Sequence, residues 1–109
     1  MIVSEDHSAP VFSIAVTYGA GSRDERKGRT GFAHLFEHMM FKGSEQVGPG
    51  EHFTLIFNNG GSMNGTTWLD RTNYFETMPS HQLELALWLE ADRMATLLDA
   101  LSQENLDNQ

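Results

Sequence analysis

The chain has 109 residues, 39% hydrophobic and 20% charged, a composition that excludes disordered, collagen-like and low-complexity classes and leaves room for one domain or part of one. Seven basic residues against fifteen acidic ones give a formal charge of −8, which repels phosphate backbones and anionic lipid surfaces and so argues against nucleic acid as a partner. The lack of cysteine rules out disulfide scaffolds, thiolate metal knuckles and cysteine nucleophiles. No apolar run is long enough for a membrane span, and Met1 to His7 lack the features of a signal peptide, so the expected location is cytoplasmic by default.

In chain order, the first apolar run is Val11 to Tyr18, VFSIAVTY, whose β-branched and aromatic residues predict a strand. Val3 is read as the end of an earlier strand. The stretch from Gly19 to Gly28 is a polar loop with solvated charges at Arg23, Asp24, Glu25, Arg26 and Lys27, and it stops where Thr30 can cap a helix. From Gly31 to Phe41, the residues Phe32, Leu35, Phe36 and Met39 recur at helical spacing, with Gly43 as a stop. A loop around Gly48-Pro49-Gly50 leads to a short helix from Glu51 to Asn58, ended by Asn59-Gly60-Gly61. Ser62 to Trp68 and Thr72 to Met78 read as two strands joined through Leu69-Asp70-Arg71. Ser80 is expected to cap the longest helix, with Leu83, Leu87, Leu89, Ala91, Met94, Leu97 and Leu98 on its buried face. The aromatics Phe53, Phe57, Tyr74, Phe75 and Trp88 are assigned to the core. Ser102, followed by Gln103-Glu104-Asn105, reads as the cap and first turn of a further helix. No repeat or linker interrupts this α+β pattern.

The first helix carries His34-Leu35-Phe36-Glu37-His38, an H-x-x-E-H sequence. At about 100° per residue, Glu37 sits roughly 60° to one side of His34 and His38 roughly 40° to the other, so the three share a face. Two imidazoles one turn apart can hold one Zn²⁺, and a neighbouring carboxylate can act as general base on water. A hydrogen-bonded structural pair of histidines is the alternative. His7, His52 and His81 lie in or near expected loops with no partner at ligand spacing and are read as solvated. In the strand from Ser62, Gly65 and the preceding Gly60-Gly61 thin the side-chain cover, so that an extended peptide could add as another strand. A glycine-containing strand paired on both sides is the competing reading.

The run Gly19-Ala20-Gly21-Ser22-Arg23-Asp24-Glu25, then Arg29-Thr30-Gly31-Phe32-Ala33-His34-Leu35-Phe36-Glu37-His38-Met39-Met40-Phe41-Lys42-Gly43, resembles the pitrilysin/insulinase family of inverzincin zinc peptidases, which includes the mitochondrial processing peptidase. The similarity continues through Asn58 to Thr67, Thr72-Asn73-Tyr74-Phe75 and Ala86 to Met94. The resemblance implies a LuxS/mitochondrial processing peptidase-like metallohydrolase fold of α+β class, with two related domains enclosing a peptide-degrading chamber. It implies a metalloendopeptidase in which His34 and His38 ligate Zn²⁺ and Glu37 activates water. Met63, Asn64, Gly65 and Thr66 would position a peptide or unfolded polypeptide by main-chain hydrogen bonds. The family's third ligand is a glutamate on the helix that Ser102 to Gln109 resembles the start of, so it is expected beyond Gln109. Glu84, Glu90, Glu104 and Asp107 are read as packing or surface acids rather than substitutes for it.

Residues 1–109 are therefore expected to be the N-terminal portion of one inverzincin domain, with little activity alone and a second homologous domain or subunit as partner. Self-association of the chain is a further expectation, because strands and an apolar helix face would lack neighbours. A non-catalytic metal-binding or structural subunit is the alternative function. A lyase with an H-x-x-E-H pair and a cysteine third ligand is disfavoured by the absence of cysteine.

Overall fold

The computed structural model describes residues 1–109. Strand β1 (Val11–Tyr18) leads through a short 3-10 turn at Ser22–Asp24 to helix α1 (Phe32–Met39) and helix α2 (Glu51–Asn58). Strands β2 (Ser62–Thr67) and β3 (Thr72–Pro79) form a hairpin, and a 3-10 turn at Ser80–Gln82 opens into α3 (Leu83–Ala100), followed by the short α4 (Gln103–Asp107). The three strands form one antiparallel sheet in the order β1-β3-β2.

Alternation sets the two faces of this sheet. Phe12, Ile14, Val16 and Tyr18 of β1 lie on the same face as Thr72, Tyr74, Glu76 and Met78 of β3, opposite Met63, Gly65 and Thr67 of β2. The helices cover this face, with α1 against β2 and α3 against β3. Its apolar centre is Val47, Ile56, Met78, Ala86 and Leu89, to which Phe12, Ile14, Leu55, Met63 and Leu85 add partly buried surface. Across the sheet, Val11 and Phe75 are exposed.

Two glycines set helix ends that the site depends on. Gly31 enters α1 with φ 93, a left-handed backbone that side-chain-bearing residues rarely adopt. Gly60, at φ 81, ends α2: its N–H donates to Phe57 O and that of Gly61 to Ile56 O, the paired bonds of a Schellman stop. This fixes the angle at which β2 departs under α1.

Several expectations change. No strand forms before β1, so Val3 ends none. The first helix ends at Met39, because the next N–H groups tighten to three-residue spacing, Phe41 N to His38 O and Lys42 N to Met39 O. Thr30 does not cap it; the capping group is the carboxylate of Glu25. Ser80 caps nothing with its side chain, and its N–H donates instead to Pro10 O, just before the start of β1. The buried side of α3 carries Ala86, Leu89, Glu90, Asp92, Arg93 and Leu97, whereas Leu83, Leu87, Met94 and Leu98 are exposed. Of the aromatics assigned to the core, Tyr74 is buried and Phe53 half-buried, while Phe57, Phe75 and Trp88 are exposed. The Ser102 cap holds: its hydroxyl oxygen accepts from Asn105 N–H at the start of α4.

Candidate functional site

His34 and His38 project from α1 one turn apart, their Nε2 atoms 3.0 Å from each other and their rings at 78°. Both are exposed, whereas Glu37 between them is buried. One ligand atom from each of the three lies within 4.8 Å of the others. Two nitrogens bound to one tetrahedral zinc at about 2.0–2.1 Å would stand about 3.3 Å apart, so a small opening of the two rings fits them to an ion. Without one, the same pair shares a hydrogen bond in which one imidazole donates and the other accepts.

The hairpin strand β2 forms the floor beneath Glu37. A Cβ built on Gly65 would lie 3.4 Å from both Cγ and Oε1 of Glu37 and 3.3 Å from Tyr74 Cδ1, so the absence of a side chain lets the strand approach the carboxylate closely. Two residues on, Thr67 Oγ1 donates to Glu37 Oε2. The Oε1 side of the carboxylate therefore faces Gly65 while the Oε2 side is held. Tyr74, opposite Gly65 in the sheet, keeps its phenol proton well above the usual range, chiefly through burial, with the Arg93 charge opposing.

The N-terminus of α1 is tied down from outside. Glu25 accepts from Gly31 N–H through Oε2 and from Ala33 N–H through Oε1, both at 2.9 Å, and brings negative charge to the positive end of the helix dipole. The preceding loop is anchored to the hairpin turn by Ser22 N–H to Trp68 O at 2.9 Å and Arg23 N–H to Leu69 O. These two connections fix α1 relative to β2.

Glu37 borders three cavities, two of which run past the histidines. One, about 610 Å³, runs past His34, Thr30, Gly65, Thr66 and Trp68; the other, about 440 Å³, runs past His38, Phe41, Phe53, Asn64 and Gln109. Both have β2 as a wall, and β2 is a sheet edge with β3 as its single neighbour. Within residues 1–109, β2 is thus paired on one side only. Asn64 is exposed, its side chain accepting from Gly65 N–H, and Thr66 Oγ1 accepts from Arg71. Met63 packs against the apolar core, so what it can offer a ligand is backbone.

Glu25 and Thr67 escaped the sequence reading. Period-two alternation from Gly65 could have found Thr67; Glu25 had no comparable signal, since its role depends on the loop's path. A larger correction concerns His52. His52 lies in α2 and is buried at 4% exposure beside Glu76, Glu90 and Arg93, all equally enclosed. His7 and His81 are exposed as expected.

The family model described as Insulinase (Peptidase family M16) matches residues 1–109. The zinc protease PqqE of Helicobacter pylori is 34% identical over 92 residues, covering 84% of this chain and 21% of that protein. The human mitochondrial-processing peptidase subunit beta is 32% identical over 91 residues, 84% of this chain and 19% of that one. Among solved structures, a protease from Helicobacter pylori superposes with a TM-score of 0.83 at 33% identity, over 89% of this chain and 23% of the other. Pitrilysin gives 0.76 at 28%, over 85% and 10%. The chain thus spans about a fifth of the length of these two curated relatives.

Proposed function

Because the chain belongs to the insulinase family of peptidases, we propose that it carries the zinc-binding and general-base residues of a metalloendopeptidase. His34 and His38 hold Zn²⁺, and Glu37 is the base in peptide-bond hydrolysis. The observation that carries this reading is the α1 face itself, on which two exposed imidazoles flank one buried carboxylate. Zinc bound there supplies Lewis acidity, which makes water a usable nucleophile near neutral pH.

The chain's own groups do the rest. Thr67 holds Oε2 of Glu37, so the carboxylate takes a proton from water in a fixed orientation. The open edge of β2 at Met63, Asn64, Gly65 and Thr66 accepts an extended peptide as an added strand, whose carbonyl is thereby presented to Glu37. Main-chain pairing reads no side chains, which suits unfolded polypeptide as substrate.

Residues 1–109 would be the N-terminal portion of one inverzincin domain of the LuxS/mitochondrial processing peptidase-like fold. The third ligand is a glutamate beyond Gln109, a position favoured by Gln109 lining the cavity next to His38. A second homologous domain or subunit closes the chamber, and copies of the isolated chain self-associate. A non-catalytic metal-binding or structural subunit of a peptidase-like assembly is the second reading.

In a longer chain that includes the third ligand, Glu37→Gln should lower hydrolysis about 10²–10⁴-fold while zinc content stays unchanged. A fully active Glu37→Gln variant overturns the assignment. In the 109-residue chain, His34→Ala with His38→Ala should remove one equivalent of zinc in equilibrium dialysis, an equivalent that in the unsubstituted chain weakens on acidification because imidazoles bind metal unprotonated.

A further inference from the structure

Beneath the α1 site lies a second group of titratable side chains that the proposed chemistry does not use. His52 from α2, Glu76 from the middle of β3 and Glu90 from α3 converge, with exposures of 4%, 2% and 5%. Arg93, at 2%, donates to Glu90 Oε1, and its guanidinium lies 4.6 Å from the Tyr74 ring centre and 5.4 Å from that of Phe41. One negative charge is thereby answered. The other is not: neither oxygen of Glu76 has a hydrogen-bond partner, and nor does His52 Nε2. A buried carboxylate left in that state is costly unless something joins it.

The spacing indicates what joins it. His52 Nε2 stands 3.7 Å from Glu76 Oε2 and 4.0 Å from Glu90 Oε1, beyond direct hydrogen bonding. One ligand atom from each residue lies within 4.8 Å of the others. A point equidistant from atoms so separated is about 2.2–2.5 Å from each, which is metal–ligand distance. A proton on His52 serves at most one of the two carboxylates, whereas one cation would take His52 Nε2, Glu76 Oε2 and Glu90 Oε1 together.

We propose that His52, Glu76 and Glu90 form a second, structural site for a divalent transition-metal ion, zinc being the first candidate, with Arg93 as its outer hydrogen-bond partner. An imidazole among carboxylates favours such an ion over calcium or magnesium. Three protein donors in a buried position, on residues 2–5% exposed, leave no access for substrate, so this ion ties α2, β3 and α3 together rather than taking part in catalysis.

The 109-residue chain with His34→Ala and His38→Ala isolates this site, because both replaced residues are exposed. After loading with zinc and dialysis against a weak chelator, that variant should retain one zinc per chain by mass spectrometry. Adding His52→Asn should weaken retention on the order of 100-fold. Where His52→Asn fails to fold by circular dichroism, zinc-edge X-ray absorption on the double variant decides: one nitrogen with oxygen ligands of the protein is expected. No retained zinc, a water-dominated shell, or an imidazolium NMR signal from His52 that zinc leaves unchanged would overturn the proposal. The two sites fail separately, since loss of the exposed equivalent tests His34 and His38 alone.

Discussion

Glu25 and Thr67 hold α1 from two sides without belonging to its H-x-x-E-H sequence. Glu25→Ala removes both acceptors at the helix N-terminus and should cost about 0.5–2 kcal/mol in urea unfolding, the range for a lost cap. Glu25→Gln should retain part of this, because one amide oxygen still accepts. The two tyrosines give a second test. Tyr18 and Tyr74 both bind their protons more tightly than the ordinary value of 10.0, chiefly through burial. A raised folded-state value means that the folded chain holds protons which the unfolded chain has released. Stability is therefore whole below pH 10 and falls as pH rises beyond it. Absorbance at 295 nm should show the phenolate steps of the native chain displaced above those of the denatured chain, with the larger displacement for Tyr74. At this scale the sequence made His34, Glu37 and His38 legible because helical geometry fixes their relation. Glu25 was illegible because a loop's path decides which charge is solvated and which becomes a cap.

Helix α3 shows why an element can be foreseen while its orientation is not. Its leucines mark a helix at any rotation, yet the side facing the sheet carries Glu90, Asp92 and Arg93 beside Ala86, Leu89 and Leu97. Polar residues turn inward here because partners wait for them: Ser44 Oγ donates to Asp92, Glu45 N–H to Thr96 Oγ1, and Glu90 meets Arg93 and His52. Hydrophobic periodicity cannot register such partners, since all but Arg93 come from other elements. Arg93→Ala, which leaves Glu90 buried without its cation, should cost about 3–5 kcal/mol in urea unfolding. The strands were legible nearly to the residue, because β-branched runs bounded by turn residues leave little freedom. Their order was not, since nothing local tells β1 to pair with β3 rather than β2. Where the loop after β1 meets the hairpin turn, a Cβ on Gly21 would stand 2.3 Å from Trp68 O. Gly21→Ala should therefore lower stability by about 1–3 kcal/mol.

Only 16 of 109 residues are buried, so the molecule presents much apolar surface, including Leu87, Met94 and Leu98 along α3 and Val11 and Phe75 on the sheet. A chain with a pI near 4.9 loses its mutual repulsion close to that pH. Sedimentation equilibrium should find self-association strongest there, weaker at pH 8, and reduced at both by Leu98→Glu. The sheet order carries a consequence of another kind. The hydroxyls of Ser13 and Thr77, which meet across β1 and β3, are 64 positions apart, whereas β2 reaches β3 through a short turn. On the ribosome β1 emerges before β3 and must wait for it. At about 5–20 residues per second that delay is several seconds, during which β1 has no native partner and its backbone is open to chaperones.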